Sequence, residues 1–255
     1  MTKAYDRVLA ARSADKISIQ DLVAGITDDF IELHGDRAYS DDPAVYAGIG
    51  TIGGQAVTIT SIQKGDNTDE NIERHFGSAE PSGYRKALRL MKQAEKFNRP
   101  IINLINTPGA YPGMDAEYKG QGYMIAQSIL QGLKLSVPYI SVIVGEGGSG
   151  GAIALAVGDT VWAFEDSIYS VLSPEGYATI LWKDSSKAAQ AAEQMQLTPK
   201  ELLNNEIIDK IIPEVKDAKS MQNFKEALIE KINELKQLPK EELLAQRHER
   251  YRKFN

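Results

Sequence analysis

Two apolar runs, PIINLIN beginning at Pro100 and PYISVIVG beginning at Pro138, each open into a glycine-rich turn and then a helical pattern. An almost continuous apolar run reads as a strand buried on both faces, and such strands lie in parallel sheets covered by helices. This succession of strand, turn and helix, twice over, constrains the chain to an α/β fold more tightly than any other feature. The turns are TPGAYPG and GEGGSGG. After the first, EYKGQGYMIAQSILQGLK carries Ile125, Ile129 and Leu133 at four-residue steps, the spacing of one helix face.

Upstream, Ile19, Leu22, Val23, Ile26, Phe30 and Leu33 recur at three- and four-residue steps. They predict a helix running to about Asp36, with Ser18 as its N-cap. VYAGIGTI and QAVTITSIQ read as two strands joined through Gly53-Gly54 as a tight hairpin. The polar stretch KGDNTDENIERHFGSAEPSG reads as a long loop of the kind that often carries function. A helix is expected from about Ser82 to Asn98, with Leu88, Met91 and Ala94 on its apolar face and Arg85, Lys86, Arg89, Lys92 and Lys96 elsewhere. TVWAFE and SIYSVLS give two short strands, and PEGYATILW, SSKAAQAAEQMQ and LTPKELLNNEIIDKIIPE close the fold. After about Lys216 the pattern turns charged and helical, with Phe224, Leu228, Ile232 and Leu235 as one stripe that calls for packing on the domain or on a partner. The economical organisation is one domain over residues 1–255, with a core of about 37–215 and a helical C-terminal tail, 216–255.

Composition removes several kinds of chemistry. With no cysteine, the chain has no disulfide, no thiolate zinc site and no Cys nucleophile. A net charge of −6 disfavours non-specific binding to nucleic acid or to anionic membranes. The opening MTKAYDRVLAARSADKISIQ lacks an apolar signal-peptide core, and no uncharged apolar run reaches the roughly 18 residues of a membrane span. A cytoplasmic protein is expected.

The stretch GEGGSGGAIALAV satisfies several motifs at once. Gly145, Gly147 and Gly150 spell the G-x-G-x-x-G of a dinucleotide turn, with Glu165 and Asp166 about twenty residues on. Against this, the turn follows several strands rather than the first, and GAIALAV offers a short helix that is apolar all round. A P-loop fails because Gly151 stands where lysine must be. Gly147, Ser149 and Gly151 spell the G-x-S-x-G of a serine hydrolase, but of His34, His75 and His248 only the last follows the serine, in the charged QRHERYRKFN. The glycines could also serve only a tight strand-to-helix corner. A fourth reading makes the backbone the chemistry: N–H groups at the start of a buried helix stabilise a developing oxyanion without any titratable side chain.

HGDRAYSDD, QKGDNTDENIERHFG, GYRKALRLMKQAEKF, NTPGAYPGMDAE, GEGGSGGAIALAVGD and YSVLSPEGYATILWK, taken in order, resemble the carboxyltransferase alpha subunits of bacterial multi-subunit acetyl-CoA carboxylase. The likeness runs from about Asp21 to Glu214. It implies an α/β crotonase-like fold, a spiral of β-β-α units with a helical C-terminal extension and an active site at a subunit interface. Many members carry a longer helical N-terminal arm than this sequence shows. The implied activity is transfer of a carboxyl group from N-carboxybiotin, held on a biotin carboxyl carrier protein, to acetyl-CoA, giving malonyl-CoA for fatty-acid synthesis. The implied partners are a beta subunit in an α2β2 heterotetramer, which carries the zinc, and a separate biotin carboxylase, which uses ATP. No metal is expected on this chain.

By the same resemblance Gly150 and Gly151 supply the N–H groups that face the ureido carbonyl, so that no protein base is required. TPGAYPG lies at the end of the neighbouring buried strand, where α/β crevices bind ligand, so Gly109, Ala110, Tyr111 and Gly113 are expected to wall the biotin pocket, the alternative being a plain Pro-Gly turn; Gly147, Gly148, Glu175 and Gly176 are also expected among the substrate-binding residues. Glu175 stands where related hydratases keep an acid, and equally where an acid would cap the next helix. Arg74, Arg85, Lys86 and Arg89 suit either CoA phosphates and an acidic carrier or a solvated helix face. Readings of other classes are a stand-alone acyl-CoA hydratase or decarboxylase, a non-catalytic scaffold subunit and a serine hydrolase acting through Ser149.

Overall fold

The structure is a computed structural model that describes residues 4–254; Met1–Lys3, the first residues of the opening segment read above, and Asn255 lie outside it. The chain begins with α1 (Ala4–Ala11) and α2 (Ile19–Ile26), the latter capped by the Ser18 hydroxyl accepting the Asp21 N–H. The expected continuation to Asp36 does not form. Thr27 turns extended, and Phe30 lies in β1 (Asp29–Glu32), which pairs antiparallel with β2 (Val45–Ile52). Three- and four-residue spacing is a local signal, and the free edge of β2 outweighs it here. β2 and β3 (Gln55–Ile62) form the hairpin, with Gly53 at φ 55° and Gly54 at φ 75°, the left-handed pair a two-residue turn demands.

The polar loop contains α3 (Thr68–Glu73) and a short 3₁₀ turn before α4 (Pro81–Lys96). β4 (Ile101–Thr107) follows, then α5 (Met114–Tyr118) and α6 (Gln121–Gly132). One helix was expected from Glu117; Gly120, at φ 86°, breaks it, and its first residues belong to α5, which begins within the expected turn. β5 (Tyr139–Gly148) leads into α7 (Ser149–Ile153), β6 (Thr160–Phe164), β7 (Ile168–Ser170), α8 (Pro174–Trp182), α9 (Ala188–Met195) and α10 (Pro199–Asn204). A strand the sequence did not announce, β8 (Lys210–Ile212), adds to β6, and α11 (Ala218–Lys236) and α12 (Lys240–Arg252) complete the chain.

The sheet runs β1-β2-β3-β4-β5-β6-β8, antiparallel at its β1–β3 end and parallel from β3 onwards. β5 serves two neighbours in succession. Its first half pairs with β6, and Glu146–Gly148 pair with β7, which joins the same sheet off the main strand order. Alternation along the buried strands feeds two cores. Ile101, Ile105 and Ile143 meet α4 and α6 on one face; Ile102, Leu104, Val142 and Val144 meet α2 and α11 on the other. The predicted tail stripe, Phe224, Leu228, Ile232 and Leu235, is buried in that second core.

Of the α4 cations, Lys92 and Lys96 are exposed, but Arg85, Lys86 and Arg89 are held by the chain itself. Lys86 is 1% exposed and donates to Asp41 Oδ1 (2.5 Å) and Asp42 O (3.1 Å). Arg85 donates to Asp36 Oδ2 (2.7 Å), and Arg89 to the carbonyls of His34 and Gly35. Together they hold the HGDRAYSDD loop against the helix. Arg74 is likewise held, by Lys64 O and Glu70.

Candidate active site

The two glycine turns meet backbone to backbone. At the end of β4 the Thr107 hydroxyl donates to Gly109 O (2.9 Å) and accepts from Gly109 N (3.1 Å), and Gly109 takes φ 147°. At the end of β5 a side-chain carbon on Gly148 would stand 2.1 Å from Pro108 O, and one on Gly151 would stand 2.5 Å from Ala110 N. Neither position admits a side chain without parting the turns. Ser149 bends the chain from strand into α7 at φ 54°.

This junction lines a cleft of about 570 Å³, walled by Gly109, Ala110, Gly150, Gly151 and Glu175 together with Arg12, Ile125, Val171, Leu172 and Ser173. The N–H groups of Gly150 and Gly151 belong to the first turn of α7, where the helix's own ladder offers them no acceptor, and no side chain accepts from either among the described residues. Unpaired donors at a helix start are usual, but here they belong to residues of the cleft wall. Ile125, Val171 and Leu172 make an apolar boundary, and Val171 is 77% exposed.

Charge is gathered at one end. Arg12, from the turn after α1, donates from Nε to Glu146 Oε1 (2.7 Å) and from Nη1 and Nη2 to Glu175 (2.9 and 3.3 Å), while Lys64 closes on the other oxygen of Glu146. Burial would raise the Glu175 pKa, but the hydrogen bond and charge of Arg12 outweigh it and hold the carboxyl below its ordinary value. Glu146 is held low in the same way by Lys64 and Arg12 against the effect of burial. Glu175 is therefore an ionised partner of Arg12, not a proton donor, and the N-cap of α8 is Ser173, whose hydroxyl accepts the Gly176 N–H (3.1 Å).

Of the residues expected at the site, Gly109, Ala110, Gly150, Gly151 and Glu175 converge on the cleft. Gly147 and Gly148 line a narrow adjoining cavity of about 40 Å³ behind Pro108, and Gly176 is engaged in the first turn of α8. Tyr111 and Gly113 turn away. Tyr111 N donates to Ala79 O (3.1 Å), its ring stacks on His75 (centroids 4.1 Å apart, 15° between planes), and it packs over Gly113. Sequence reasoning missed Arg12, Ile125, Val171, Leu172 and Ser173. The apolar pair ahead of the cap in SVLSPEG was a usable hint; nothing local marks Arg12.

The competing motifs lose their geometry. Gly145 and Gly147 lie within β5 rather than in a turn, so no dinucleotide loop exists there. No histidine borders the cleft around Ser149 among the described residues, and His248 Nε2 meets Leu133 O at 3.0 Å. Among those residues no group of three or more His, Asp or Glu could hold a metal ion, and no helix is long and apolar enough to cross a membrane.

Comparison with known proteins agrees with this geometry. Residues 1–255 match a family model described as acetyl co-enzyme A carboxylase carboxyltransferase-like. The chain is 52% identical over 256 residues to the acetyl-coenzyme A carboxylase carboxyl transferase subunit alpha of Streptococcus sanguinis (strain SK36), covering 100% of both. It is 54% identical over 246 residues to the subunit alpha of Streptococcus thermophilus (strain ATCC BAA-491 / LMD-9), covering 96% of each. Among solved structures it resembles transcarboxylase 12S with methylmalonyl-coenzyme A and methylmalonic acid bound (TM-score 0.71, 19% identity, 88% of this chain and 42% of that one). It also resembles the beta subunit of P. aeruginosa geranyl-CoA carboxylase (TM-score 0.68, 17% identity, 92% and 42%). The chain thus spans less than half the length of these structural neighbours, whose likeness carries the fold: crotonase-like, as expected. On sequence match, fold and cleft together, the chain belongs to the family of acetyl-coenzyme A carboxylase carboxyl transferase alpha subunits.

Proposed function

We propose that this chain is the carboxybiotin-facing half of a carboxyltransferase. With a beta subunit, in an α2β2 assembly, it passes a carboxyl group from N-carboxybiotin on a biotin carboxyl carrier protein to acetyl-CoA, giving malonyl-CoA in the cytoplasm. The observation that carries the reading is the pair of first-turn N–H groups, Gly150 and Gly151, on the wall of a cleft that Ile125, Val171 and Leu172 bound on an apolar side. The residues fit a flat ureido carbonyl. Close packing of Gly151 on Gly109 and Ala110 fixes this stretch of main chain at the cleft wall, and Ile125, Val171 and Leu172 offer apolar cover to a ring.

Bound there, carboxybiotin supplies the carboxyl group and the basic site that takes a proton from the acetyl methyl group. The chain's own residues bind and polarise. The Gly150 and Gly151 amides donate to the ligand carbonyl, and each donor of this kind is worth roughly a hundred- to a thousandfold in rate. Arg12 stays charged between Glu146 and Glu175: burial works against that charge, and the two carboxylates outweigh it. Because Arg12 holds Glu175 ionised, a hydratase-type acid at this position is not supported. A zinc site is expected on the beta subunit and ATP use on a separate biotin carboxylase. The test is co-expression with the beta subunit, co-purification, and a malonyl-CoA assay with and without each chain. Formation only with both supports the reading; turnover by this chain alone, or none with both, overturns it.

A further inference from the structure

The far end of α7 is held by an arrangement that the chemistry at its near end does not explain. Leu155 O, just past the helix, accepts three side-chain hydrogen bonds: from Asn103 Nδ2 (2.9 Å), the Tyr139 hydroxyl (2.8 Å) and the Ser141 hydroxyl (2.9 Å). Asn103 also donates to the Tyr139 hydroxyl (2.6 Å), and the Thr60 hydroxyl closes on Asn103 Oδ1, which fixes the way its amide faces. All four side chains are 0% exposed. They stand on three adjacent central strands, with Thr60, Asn103 and Ser141 in register across β3, β4 and β5. Apolar residues would cover this ground without the desolvation of four polar groups, so the convergence of three of them on one carbonyl calls for a reason.

We propose that Asn103, Tyr139 and Ser141 are positioning residues: they pin the carboxyl end of α7 to the rigid sheet and so fix where the Gly150 and Gly151 N–H groups point. α7 has only five residues, and Gly150 O is tied to Ala154 N (3.0 Å), so a shift at Leu155 reaches the glycine pair within one turn. Its near end rests on the glycine contacts with Pro108–Ala110; its far end rests on these three donors. The catalytic consequence rests on the function proposed above; the mechanical claim does not.

The test compares Ser141→Ala with Ser167→Ala in the assembled enzyme. Both serines are 0% exposed and both hydroxyls donate to one carbonyl, that of Ser167 to Phe164 O (2.7 Å), away from the cleft. Ser141→Ala, alone and with Tyr139→Phe, is expected to lower kcat about ten- to a hundredfold, the cost of misplacement on the order of 1 Å, with little change in KM for acetyl-CoA. Hydrogen exchange at the Ala154 and Leu155 amides should quicken in the same variants. Ser167→Ala should lower Tm to a similar degree while keeping kcat and that exchange as in the wild type. Exchange at Ala154 and Leu155 no faster in the Ser141 variant than in the Ser167 variant overturns the proposal. Faster exchange combined with undiminished transfer in Gly151 variants upholds the pinning of α7 and tells against the function assigned to the glycine pair.

Discussion

Alanine at position 151 keeps the main-chain N–H and exchanges one hydrogen for a methyl group. On the observed backbone that methyl carbon lies 2.5 Å from Ala110 N and 2.7 Å from the Gly109 carbonyl carbon, both main-chain atoms of the facing turn. Ordinary contact begins at 3.4 Å, so helix and turn must part by about 0.9 Å (3.4 less 2.5). A displacement near 1 Å in a geometry-dependent site costs roughly a hundredfold in rate, close to the loss of one oxyanion donor outright. The methyl of Gly150→Ala instead meets Ile125 Cγ2 at 3.5 Å, ordinary contact. Within a helix it also favours folding by about 0.5–1 kcal/mol. Gly150→Ala is therefore expected to hold or raise Tm and to lose far less activity than Gly151→Ala. The assay is the initial rate of malonyl-CoA formation by each variant assembled with the beta subunit, beside its thermal unfolding. Equal losses at the two positions, or full activity in Gly151→Ala, would refute the claim that contact between the turns sets the donors.

Glu175→Gln should reduce transfer by less than about tenfold, below the range for a true proton-transfer group, because Arg12 keeps Glu146; abolished turnover would restore an acid–base role. Arg247→Met strands Asp159, whose side chain is 4% exposed, and should cost about 3–5 kcal/mol in urea unfolding; an unchanged midpoint would contradict the ion pair. Asp41 is shifted upward by burial, but Lys86, the Gly35 N–H and His34 outweigh this and bring it to about 2. With the folded pKa depressed, its contribution is full above the ordinary 3.8 and is lost as pH falls towards 2. The stability advantage of the wild type over Lys86→Met should accordingly shrink between those pH values. A fluorophosphonate probe should leave Ser149 unlabelled, since no histidine among the described residues borders the cleft there.

What the sequence made legible was what local chemistry governs. The buried strands, the Gly53-Gly54 hairpin, the Ser18 cap and the stripe on α11 are each set by neighbours within a few residues, and they form as expected. Phe30 and Leu33 went astray because a helical spacing of two residues carries no information about a free strand edge. β8 has only three residues and exists because β6 offers an edge. The roles of Lys86 and Arg12 were invisible for a different reason: their partners lie 45, 134 and 163 residues away, and charge on a helix reads the same whether water or a carboxylate answers it. At the cleft, the glycines were readable because close backbone approach leaves a residue-type signature, whereas the side chains that finish the walls leave none.

Arg247 ties the last part of the chain to be made to its middle. Its guanidinium, 0% exposed, clasps both oxygens of Asp159 at 2.8 Å and the carbonyls of Gly132, Leu135 and Val137. Asp159 leaves the ribosome 88 residues before its partner, a wait of roughly 4 to 18 seconds at elongation rates of about 5–20 residues per second. Throughout that interval the nascent sheet carries Asp159 without the guanidinium that answers it, which favours an open or hydrated β5–β6 region until translation of α12 is under way. Messages cut short before Arg247 should therefore yield polypeptides that quality-control proteases clear rather than shortened subunits that persist.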